Sequence, residues 1–437
     1  MISNDKKPSV LLVSIDALKP EFIFEQERLG ISLPNIKKYF IENGTYSRCG
    51  VRSVFPTFTY PCHQSIITGT NPAKHGIFNN GIFDPKGIHN GAWHWFASEK
   101  VDNLWKASKE NGYVSASVAF PTSVCAEGDF IVPEFWWDGT EFDSYFINAL
   151  SKPQGIISKM EKEIGRYAGG LDLTEEGDEQ RFKATMWVLK NKIQELVKDK
   201  PFFMTSYFAS FDEMAHVNGV YSKEAAHALE KIDKMLGILI KEVHEITNDN
   251  VVVCVVSDHG TLDNEYNINP NMLLKEAGLI DVDECGNIIS WKAWAQRAGG
   301  TAEIRVKDSE DAETIDKLKK VIEKMTSDEE SGILEVLDRE EAKKRGGFPL
   351  AEFVLVAKKG YEIRENVLGD YCTTKLAQKA QHGYSENFEE MKSSFLIEGK
   401  GIKSKQDIGE MNLIDIAPTL ANIMGFVLSQ AEGKNIL

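Results

Sequence analysis

Three apolar segments of the sequence, SVLLVSI, VVVCVVS and PFFMTSYF, each run into side chains that can bind a metal ion. These side chains are aspartates and histidines that follow the end of each segment within a few positions. In an open α/β sheet, ligands bind outside the carboxyl ends of the strands, so residues in these positions gather at one edge. The residues concerned are Asp16, Asp258, His259, Asp212 and His216.

Taken singly, each position also has an ordinary structural explanation. An aspartate that follows a strand, such as Asp16, is commonly part of a turn or a helix cap. Asp212 and His216 share one face if their segment is helical, which suits either a zinc site or a surface ion pair. The Asp-His-Gly sequence lets both side chains bind one ion if the backbone turns sharply. His382, in the polar segment QHGYSE, is expected to be exposed when it is considered by itself.

Together, these six residues form a set that suits two metal ions. Three carboxylates and three imidazoles are the mixed oxygen and nitrogen ligands that zinc or manganese binds, with three protein ligands per ion leaving positions open. Two ions about 4 Å apart can hold an in-line phosphoryl displacement, one at the nucleophile and the other at the leaving oxygen. The set therefore predicts hydrolysis of a small anionic phosphate ester.

The stretch TYPCHQSIITGTNPAKHGIFNN can complete such a site. A threonine hydroxyl such as that of Thr59 is a poor nucleophile until a metal ion lowers its pKa and orients it. Pro61 suits the first turn of a helix, where backbone N–H groups receive phosphate oxygens. Asn80 can donate an amide N–H to a non-bridging oxygen of the transition state. Alternatively, Thr59 is only a helix cap and Asn79-Asn80 a turn, but the six candidate ligands favour the catalytic interpretation.

Buried strands and covering helices must position these residues. Six runs rich in β-branched or aromatic residues are continuously apolar, which is typical of strands covered on both faces. Ser98 and Ser222 are each predicted to cap a helix, the second of them long and amphipathic. The fold class is therefore α/β, with one large, mostly parallel central sheet and helices on both faces. The six runs are residues 10–15, 113–120, 202–208, 251–256, 352–357 and 394–397.

The segment from about 285 to 370 differs from the rest of the chain. It alternates strands with charged amphipathic helices, as in TAEIRVKDSEDAETIDKLKKVIEKM, and predicts a small α+β cap or insertion. The catalytic α/β domain is then residues 1–284, with a return at 371–437. The Gly-Gly pairs at 299–300 and 346–347 are either flexible points or plain turns.

Composition narrows the classes of partner. The 437-residue chain has a formal net charge of −16 and no run rich in lysine or arginine, which disfavours nucleic-acid polymers and membranes as partners. There is no apolar stretch of about 20 residues to predict a membrane span. The six cysteines are scattered, so we expect reduced thiols and a cytoplasmic location. The oligomeric state stays open.

The order and spacing of these motifs resemble the alkaline phosphatase superfamily, most closely its nucleotide pyrophosphatase/phosphodiesterase branch. The resemblance covers LLVSIDALKPEF, VFPTFTYPCHQSIITGTNPAKHGIFNNGIFDP, YFASFDEMAH, VVSDHG, HGY and IDIAPTLANIMG. It implies an alkaline-phosphatase-like fold. It also implies a dizinc hydrolase that cleaves phosphodiester or pyrophosphate bonds of nucleotide-like substrates through a phosphothreonine intermediate.

By position, the resemblance implies a role for each candidate residue. Thr59, rather than the competing Thr57, corresponds to the nucleophile because it directly precedes an aromatic-Pro pair. Asn80 corresponds to the oxyanion donor. Two Zn²⁺ ions are implied, with Mn²⁺ as an alternative. The ligands are Asp16, Thr59, Asp258 and His259 for the first ion, and Asp212, His216 and His382 for the second.

Departures from the family pattern leave the substrate open. Cys62 and Ala215 stand where Asn and Gly are usual, and neither change removes a ligand. The sulfatase motif C/S-x-P-x-R is missing. The stretch VSASVAFPTSVCAEGDF lacks the lysines of phosphonoacetate hydrolases, whereas its Phe120-Pro121 pair resembles the phosphodiesterases. Trp136 and Trp137 are candidates either for stacking on a base or for an ordinary core contact.

Three alternatives to a diesterase remain. A phosphonoacetate hydrolase-like phosphonatase and a phosphomonoesterase share the same metal core. A metal-bound scaffold without turnover is the alternative outside enzymes. Pseudoenzymes typically lose the nucleophile or a ligand, and here all eight positions are filled, which favours an enzyme.

Overall fold

A computed structural model describes residues 6–136, 144–167, 169 and 172–437 of the chain. Its two main sheets contain β1 Ser9–Ile15, β2 Thr45–Tyr46, β3 Val114–Val118, β4 Phe130–Val132, β5 Phe202–Phe208, β6 Val251–Val256, β7 Ala293–Ala298, β8 Thr301–Val306, β9 Ile333–Asp338, β10 Phe353–Ala357, β11 Phe395–Gly399 and β12 Gln406–Asp407. Shorter strands pair as Val51–Arg52 with Met411–Asn412, Leu262–Asp263 with Ala380–Gln381, Tyr266–Ile268 with Tyr361–Ile363 and Cys372–Thr373, and Ile280–Val282 with Ile288–Trp291.

The α-helices are α1 Pro20–Phe24, α2 Gln26–Leu29, α3 Pro34–Ile36, α4 Thr59–Thr68, α5 Pro72–His75, α6 Leu104–Glu110, α7 Ser144–Leu150, α8 Ile156–Ile164, α9 Glu175–Val188, α10 Ser210–Asn218, α11 Lys223–Thr247, α12 Pro270–Glu276, α13 Ala312–Ser327, α14 Arg339–Lys344 and α15 Ile416–Met424. Lys37–Ile41 and Leu189–Ile193 are π-helical, and Leu196–Lys198, Glu389–Met391 and Leu413–Asp415 are 3₁₀-helical. None of the helices in the described part of the chain has both the length and the apolarity needed to span a lipid bilayer.

The larger sheet has eight strands in the order β12-β2-β11-β6-β1-β5-β3-β4. The strands β6, β1, β5, β3 and β4 run parallel, while β11 is antiparallel to both its neighbours. The predicted α/β class with a large, mostly parallel sheet is therefore confirmed. In the register of the central strands, Ile15 pairs with Phe208, and Ser14 pairs with Val256. The residues that follow these three strands consequently emerge side by side at one edge.

Both faces of the sheet are covered, which explains the continuous apolar runs. Leu11 and Val13 of β1 pack in one apolar cluster with residues of α11. Val10 and Leu12 point the other way and pack in a second cluster with α4, α6 and α15. Strands covered on both faces are apolar at most positions, and the polar residues they contain, such as Ser14 of β1 and Thr205 of β5, are buried as well.

One of the two predicted helix caps is observed and the other is wrong. The Ser222 hydroxyl accepts a hydrogen bond from the Ala225 N–H, and α11 begins there as expected. Ser98, in contrast, caps nothing: α6 begins later, and Asn103 accepts from the Lys106 N–H. The Ser98 hydroxyl instead donates to the His75 carbonyl, a contact with another part of the chain that the local sequence does not encode.

The smaller sheet has four antiparallel strands in the order β7-β8-β10-β9. These strands, with α13 and α14, lie within the segment expected to form an insertion; the proposed domain limits themselves stay a prediction. Arg345, after α14, connects this sheet to the segment that follows His382. Its guanidinium donates to Glu386 and Glu335 at 2.6 Å each and lies over the ring of Phe55.

The Gly299-Gly300 pair is a point of close backbone approach. Gly299 has a φ of +68°, and a Cβ built on it would lie 2.0 Å from the carbonyl oxygen of His382. A Cβ on Gly300 would lie 2.2 Å from the ring of Tyr384. The turn between β7 and β8 therefore fits against the His382 segment only because both residues lack a side chain. Gly347 is similar, since its Cβ would meet the Phe55 carbonyl oxygen at 2.4 Å.

We predict that Gly299→Ala lowers the free energy of unfolding by about 3 kcal/mol or more. Alanine is strained in the left-handed backbone conformation, and its Cβ overpacks the contact with His382. Gly278→Ala is the matched control: its φ is +70°, but nothing lies within 4 Å of the added Cβ. Strain alone is expected to cost it about 1–2 kcal/mol. Urea denaturation of the two variants measures the difference, and equal losses would contradict the packing argument.

A second prediction concerns His244 at the end of α11. Its Nε2 lies 2.9 Å from Glu398 of β11 and its Nδ1 lies 2.9 Å from Asp249. The hydrogen bond and charge of Glu398 raise the pKa of His244 above its ordinary value, with Asp249 adding. Protonated His244 therefore stabilises the fold fully below about pH 6.5, the unfolded pKa, and this contribution disappears as the pH rises through the folded pKa.

His244→Gln should accordingly cost about 1 kcal/mol or less at pH 6, because the pair is partly exposed, and less at pH 9. Urea titrations at both pH values test this. His227→Gln, an exposed histidine on the same helix, serves as the control. A cost that is independent of pH would show that the ion pair contributes nothing.

Candidate active site

The predicted residues meet at one cavity on the carboxyl edge of the larger sheet. The cavity has a volume of about 460 Å³. Its walls include Asp16, Thr59, Asn80, Asp212, His216 and His382. Asp258 and His259 lie beneath this wall and are fully buried. All eight residues singled out in the sequence are thus brought together, from positions up to 366 residues apart in the chain.

Within the described residues, two groups have the geometry to bind a metal ion. In each group the ligand atoms lie within 4.8 Å of one another: Asp16, Asp258 and His259 in one, and Asp212, His259 and His382 in the other. The first matches the ligands expected for the first ion. The second contains His259 where His216 was expected, although the His216 Nε2 is only 3.0 Å from Asp212. The groups adjoin, because the rings of His259 and His382 stack at 3.7 Å.

Backbone carbonyls orient all three imidazoles in the same way. The Nδ1 of His216 lies 2.7 Å from the Ala380 oxygen, that of His259 lies 3.1 Å from the Gly260 oxygen, and that of His382 lies 3.3 Å from the Thr57 oxygen. A carbonyl oxygen only accepts, so each Nδ1 carries the proton when the ring is neutral. The Nε2 lone pairs are then directed toward the carboxylates, as in metal sites where a second contact fixes the tautomer.

The carboxylates lack enough protein partners. Asp16 Oδ1, Asp212 Oδ1 and Asp258 Oδ2 are buried and accept no hydrogen bond from any described residue. Burial raises the pKa of Asp16 well above its ordinary value, and the charges of Asp258 and Asp212 raise it further. A buried carboxylate oxygen without a hydrogen-bond donor is costly, and a cation relieves both its desolvation and the mutual repulsion of the three carboxylates. The residues present therefore fit the pair of metal ions that the sequence predicts.

Charges at the second group are mutually dependent. Burial opposes ionisation of Asp212, but His216 and His382 outweigh it and lower the pKa of Asp212. Burial likewise lowers the pKa of His216, yet the adjacent Asp212 raises it to about 9. The pKa of His382 falls well below its ordinary value, through burial and the neighbouring His259. A proton on His216 is thus what balances Asp212 when no other cation is present.

Thr59 and Thr57 have different surroundings. Thr59 is the first residue of α4 and borders the cavity, with its Oγ1 3.2 Å from the Nε2 of His259. Thr57 is fully buried, and its hydroxyl donates to the Tyr384 carbonyl at 2.9 Å. The geometry therefore favours Thr59, the residue singled out from the sequence, as the nucleophile.

Asn80 has its amide oriented by the same helix. Its Oδ1 accepts the backbone N–H of Tyr60 at 2.9 Å, at the first turn of α4. This contact fixes the amide orientation, so the NH₂ group is the end free to donate into the cavity. The predicted role as a donor to an oxyanion is compatible with this arrangement.

Several supporting residues were missed by the sequence analysis. The Tyr207 hydroxyl donates to Asp16 Oδ2, and His63 joins the Ser14 hydroxyl to the Thr59 carbonyl at 2.9 and 2.8 Å. A tyrosine near the end of an apolar strand and a histidine on the nucleophile's helix were available signals. Their partners, however, are more than 40 residues away for all but one of these bonds, so the sequence alone could not pair them.

Aromatic and polar residues that are not candidate metal ligands form the rest of the cavity wall. Trp136 and Trp93 pack edge to face at 4.9 Å beside Tyr60, and all three line the cavity. Trp137 lies outside the described residues. Phe120 of the aromatic-Pro pair is buried instead against His63. The smaller sheet and the segment after it contribute further lining residues, among them Gln296, Arg297 and Glu365.

Comparison with known proteins identifies relatives. Residues 10–385 match the family described as Type I phosphodiesterase / nucleotide pyrophosphatase. The chain is 28% identical over 258 residues to ectonucleotide pyrophosphatase/phosphodiesterase family member 1 of Mus musculus, which is 58% of this chain but 24% of that protein. It is also 23% identical over 435 residues to bis(5'-adenosyl)-triphosphatase ENPP4 of Pongo abelii, covering 97% of this chain and 79% of that protein.

A solved structure shows the same fold. The murine ectonucleotide pyrophosphatase / phosphodiesterase 5 aligns with a TM-score of 0.66 and 20% identity, covering 98% of this chain and 97% of that one. This similarity confirms the expected alkaline-phosphatase-like fold. Because the family match extends over most of its length, the chain belongs to the type I phosphodiesterase/nucleotide pyrophosphatase family of the alkaline phosphatase superfamily.

Proposed function

We propose that this protein is a dizinc hydrolase that cleaves phosphodiester or pyrophosphate bonds of nucleotide-like substrates through a phosphothreonine at Thr59. The observation that carries the proposal is the cavity itself. It combines a threonine hydroxyl, an oriented asparagine amide and three buried carboxylate oxygens that accept no hydrogen bond within the described chain. Family membership supports the same class of reaction.

The metal ligands are proposed as the family resemblance implied. Asp16, Asp258 and His259, with Thr59, would hold one Zn²⁺, and Asp212, His216 and His382 the other. When bound, the two ions would supply Lewis-acid stabilisation of charge on the phosphoryl group and on the reacting oxygens. Mixed Asp/His sites accept several divalent ions, so Mn²⁺ is the alternative occupant.

The chain's own residues then account for the displacement. The Thr59 hydroxyl gives up its proton to solvent, and its oxygen forms a bond to phosphorus as the bond from phosphorus to the leaving oxygen breaks. The product is a phosphothreonine, which keeps the remaining ester group when the substrate is a diester. Hydrolysis of that ester by water returns the free hydroxyl and releases phosphate or a monoester. Asn80 donates its amide N–H to a non-bridging oxygen, and such a donor typically lowers the barrier by about 3 kcal/mol. His63 fixes the carbonyl of Thr59 and thereby the start of α4.

Two relatives support nucleotide-like substrates. One is named for bis(5'-adenosyl)-triphosphatase activity. The other, the murine phosphodiesterase 5, has been solved as an inactive threonine-to-alanine variant in complex with AMP. The matched part of family member 1 is only about a quarter of that protein, so its substrates enter here only as part of the proposal.

We predict about two zinc ions per chain by elemental analysis. We also predict turnover of thymidine 5′-p-nitrophenyl phosphate and bis-p-nitrophenyl phosphate in preference to p-nitrophenyl phosphate and phosphonoacetate. Removal of the metal with a chelator should abolish this turnover, and added zinc should restore it. Two ions with only monoester or phosphonate turnover would move the protein to a sister activity. Bound zinc with no turnover would favour the scaffold alternative.

Thr59→Ala should abolish both turnover and covalent ³²P labelling while about two zinc ions remain bound. Thr57→Val is the matched control, because it removes a nearby hydroxyl but keeps the side-chain shape in its buried position. That variant should retain labelling, with some loss of stability from its missing hydrogen bond. Labelling that persists in Thr59→Ala and disappears in Thr57→Val would reverse the assignment.

A further inference from the structure

The smaller sheet places a guanidinium in the catalytic cavity. Arg297 lies in β7, near the turn that fits against His382, and lines the same cavity as Thr59 and Asp212. Its side chain is 28% exposed. Apart from the candidate metal ions, this is a fixed positive charge in a wall that otherwise contributes several carboxylates.

The Arg297 guanidinium has fewer partners than its chemistry requires. A guanidinium carries five N–H donors. Among the described residues, its one ion pair is with Glu362 at 3.8 Å, a long contact. Glu362 is itself already engaged: the same Oε1 accepts from Arg364 at 2.8 Å and from Gln381 at 3.3 Å. Burial lowers the pKa of Arg297 and the charge of Arg364 adds to this, whereas the charges of Glu362 and Glu365 act in the opposite direction.

Two hydrogen bonds hold the backbone of Arg297, so the point from which its side chain extends into the cavity is fixed. The Asn79 amide donates to its carbonyl at 2.7 Å, and its own N–H donates to Glu365 Oε1 at 2.9 Å. Asn79 directly precedes Asn80, the proposed donor to the scissile phosphate. The strand that carries Arg297 is therefore hydrogen-bonded to the segment that contains Asn80. Glu365 also lines the cavity; its Oε1 accepts that backbone bond, and its charge acts on the guanidinium together with that of Glu362.

We propose that Arg297 is a specificity-determining residue that binds a second anionic group of the substrate, a phosphate beyond the scissile one. This inference rests on the proposed hydrolase function. Arginine suits such a group because its planar fork donates two parallel hydrogen bonds to a phosphate, and a partly buried guanidinium is weakly hydrated. Substrates with an anionic tail, such as nucleoside triphosphates, are then preferred over simple diesters with the same nucleoside.

The test compares two substrates with one nucleoside. Thymidine triphosphate carries further phosphates, whereas thymidine 5′-p-nitrophenyl phosphate carries only the scissile one. The quantity measured is kcat/KM for thymidine triphosphate divided by kcat/KM for thymidine 5′-p-nitrophenyl phosphate. In the zinc-loaded enzyme, Arg297→Gln should lower this ratio about tenfold to a hundredfold, because charged hydrogen bonds are lost. Arg297→Lys keeps the charge but loses the planar guanidinium, so its ratio should lie between those of the wild type and Arg297→Gln.

Arg364→Gln is the matched control. It removes the other arginine on Glu362, but Arg364 is not among the residues that line the cavity in the described chain. Its kcat/KM ratio should equal that of the wild type. A ratio unchanged by Arg297→Gln, or lowered equally by Arg364→Gln, would overturn the inference.

A binding measurement separates this inference from the proposed function. If the wild type turned over neither substrate, the hydrolase proposal would fail. Calorimetric titration of zinc-loaded protein with thymidine mono- and diphosphate would still test Arg297. Loss of the diphosphate preference in Arg297→Gln supports the subsite. Equal preference in the variant and the wild type contradicts it.

Discussion

The structure depends on one electrostatic constraint: parallel strands deliver like charges to the same place. Asp16 and Asp258 follow neighbouring strands of the larger sheet, and Asp212 lies on the helix that follows the third. One oxygen of each carboxylate accepts no hydrogen bond from the described residues: Asp16 Oδ1, Asp212 Oδ1 and Asp258 Oδ2. A fold that buries such a set is stabilised by binding cations, because ligand binding to the native state adds directly to its stability. Metal binding and folding are thus expected to be coupled.

The two sheets divide the chemistry between them. The larger sheet and the helices and loops at its carboxyl edge provide Thr59 and most of the proposed metal ligands. The smaller sheet and its neighbouring segment provide Gln296, Arg297 and Glu365, which face the same cavity from outside the metal edge. Arg345, which contacts Glu386 and Phe55, connects the smaller sheet to the rest of the fold beside the proposed catalytic residues. In the proposed function, substrate recognition and reaction would therefore be located on separate elements.

Much of this arrangement could be predicted from the sequence. Strands buried on both faces are apolar at most positions, so β5 and β6 were predicted with their observed limits, and most of the candidate ligands were predicted from the residues that follow the strands. The failures involve partners distant in the sequence. Ser98 was predicted as a cap because the local sequence allowed it, but its hydroxyl binds His75 instead. Tyr207 and Arg297 were missed because their significance arises only when Asp16 and the cavity approach them in the fold.

The contact between Gly299-Gly300 and the His382-Tyr384 segment has a consequence for how this family can diversify. The inner turn of the smaller sheet matches a specific backbone path next to a candidate metal ligand. A recombination point placed between the two would separate surfaces that fit only as a pair. The unit that can be exchanged between relatives to graft a new specificity therefore extends from β7 through Tyr384, and an exchange of the insertion alone would leave mismatched halves.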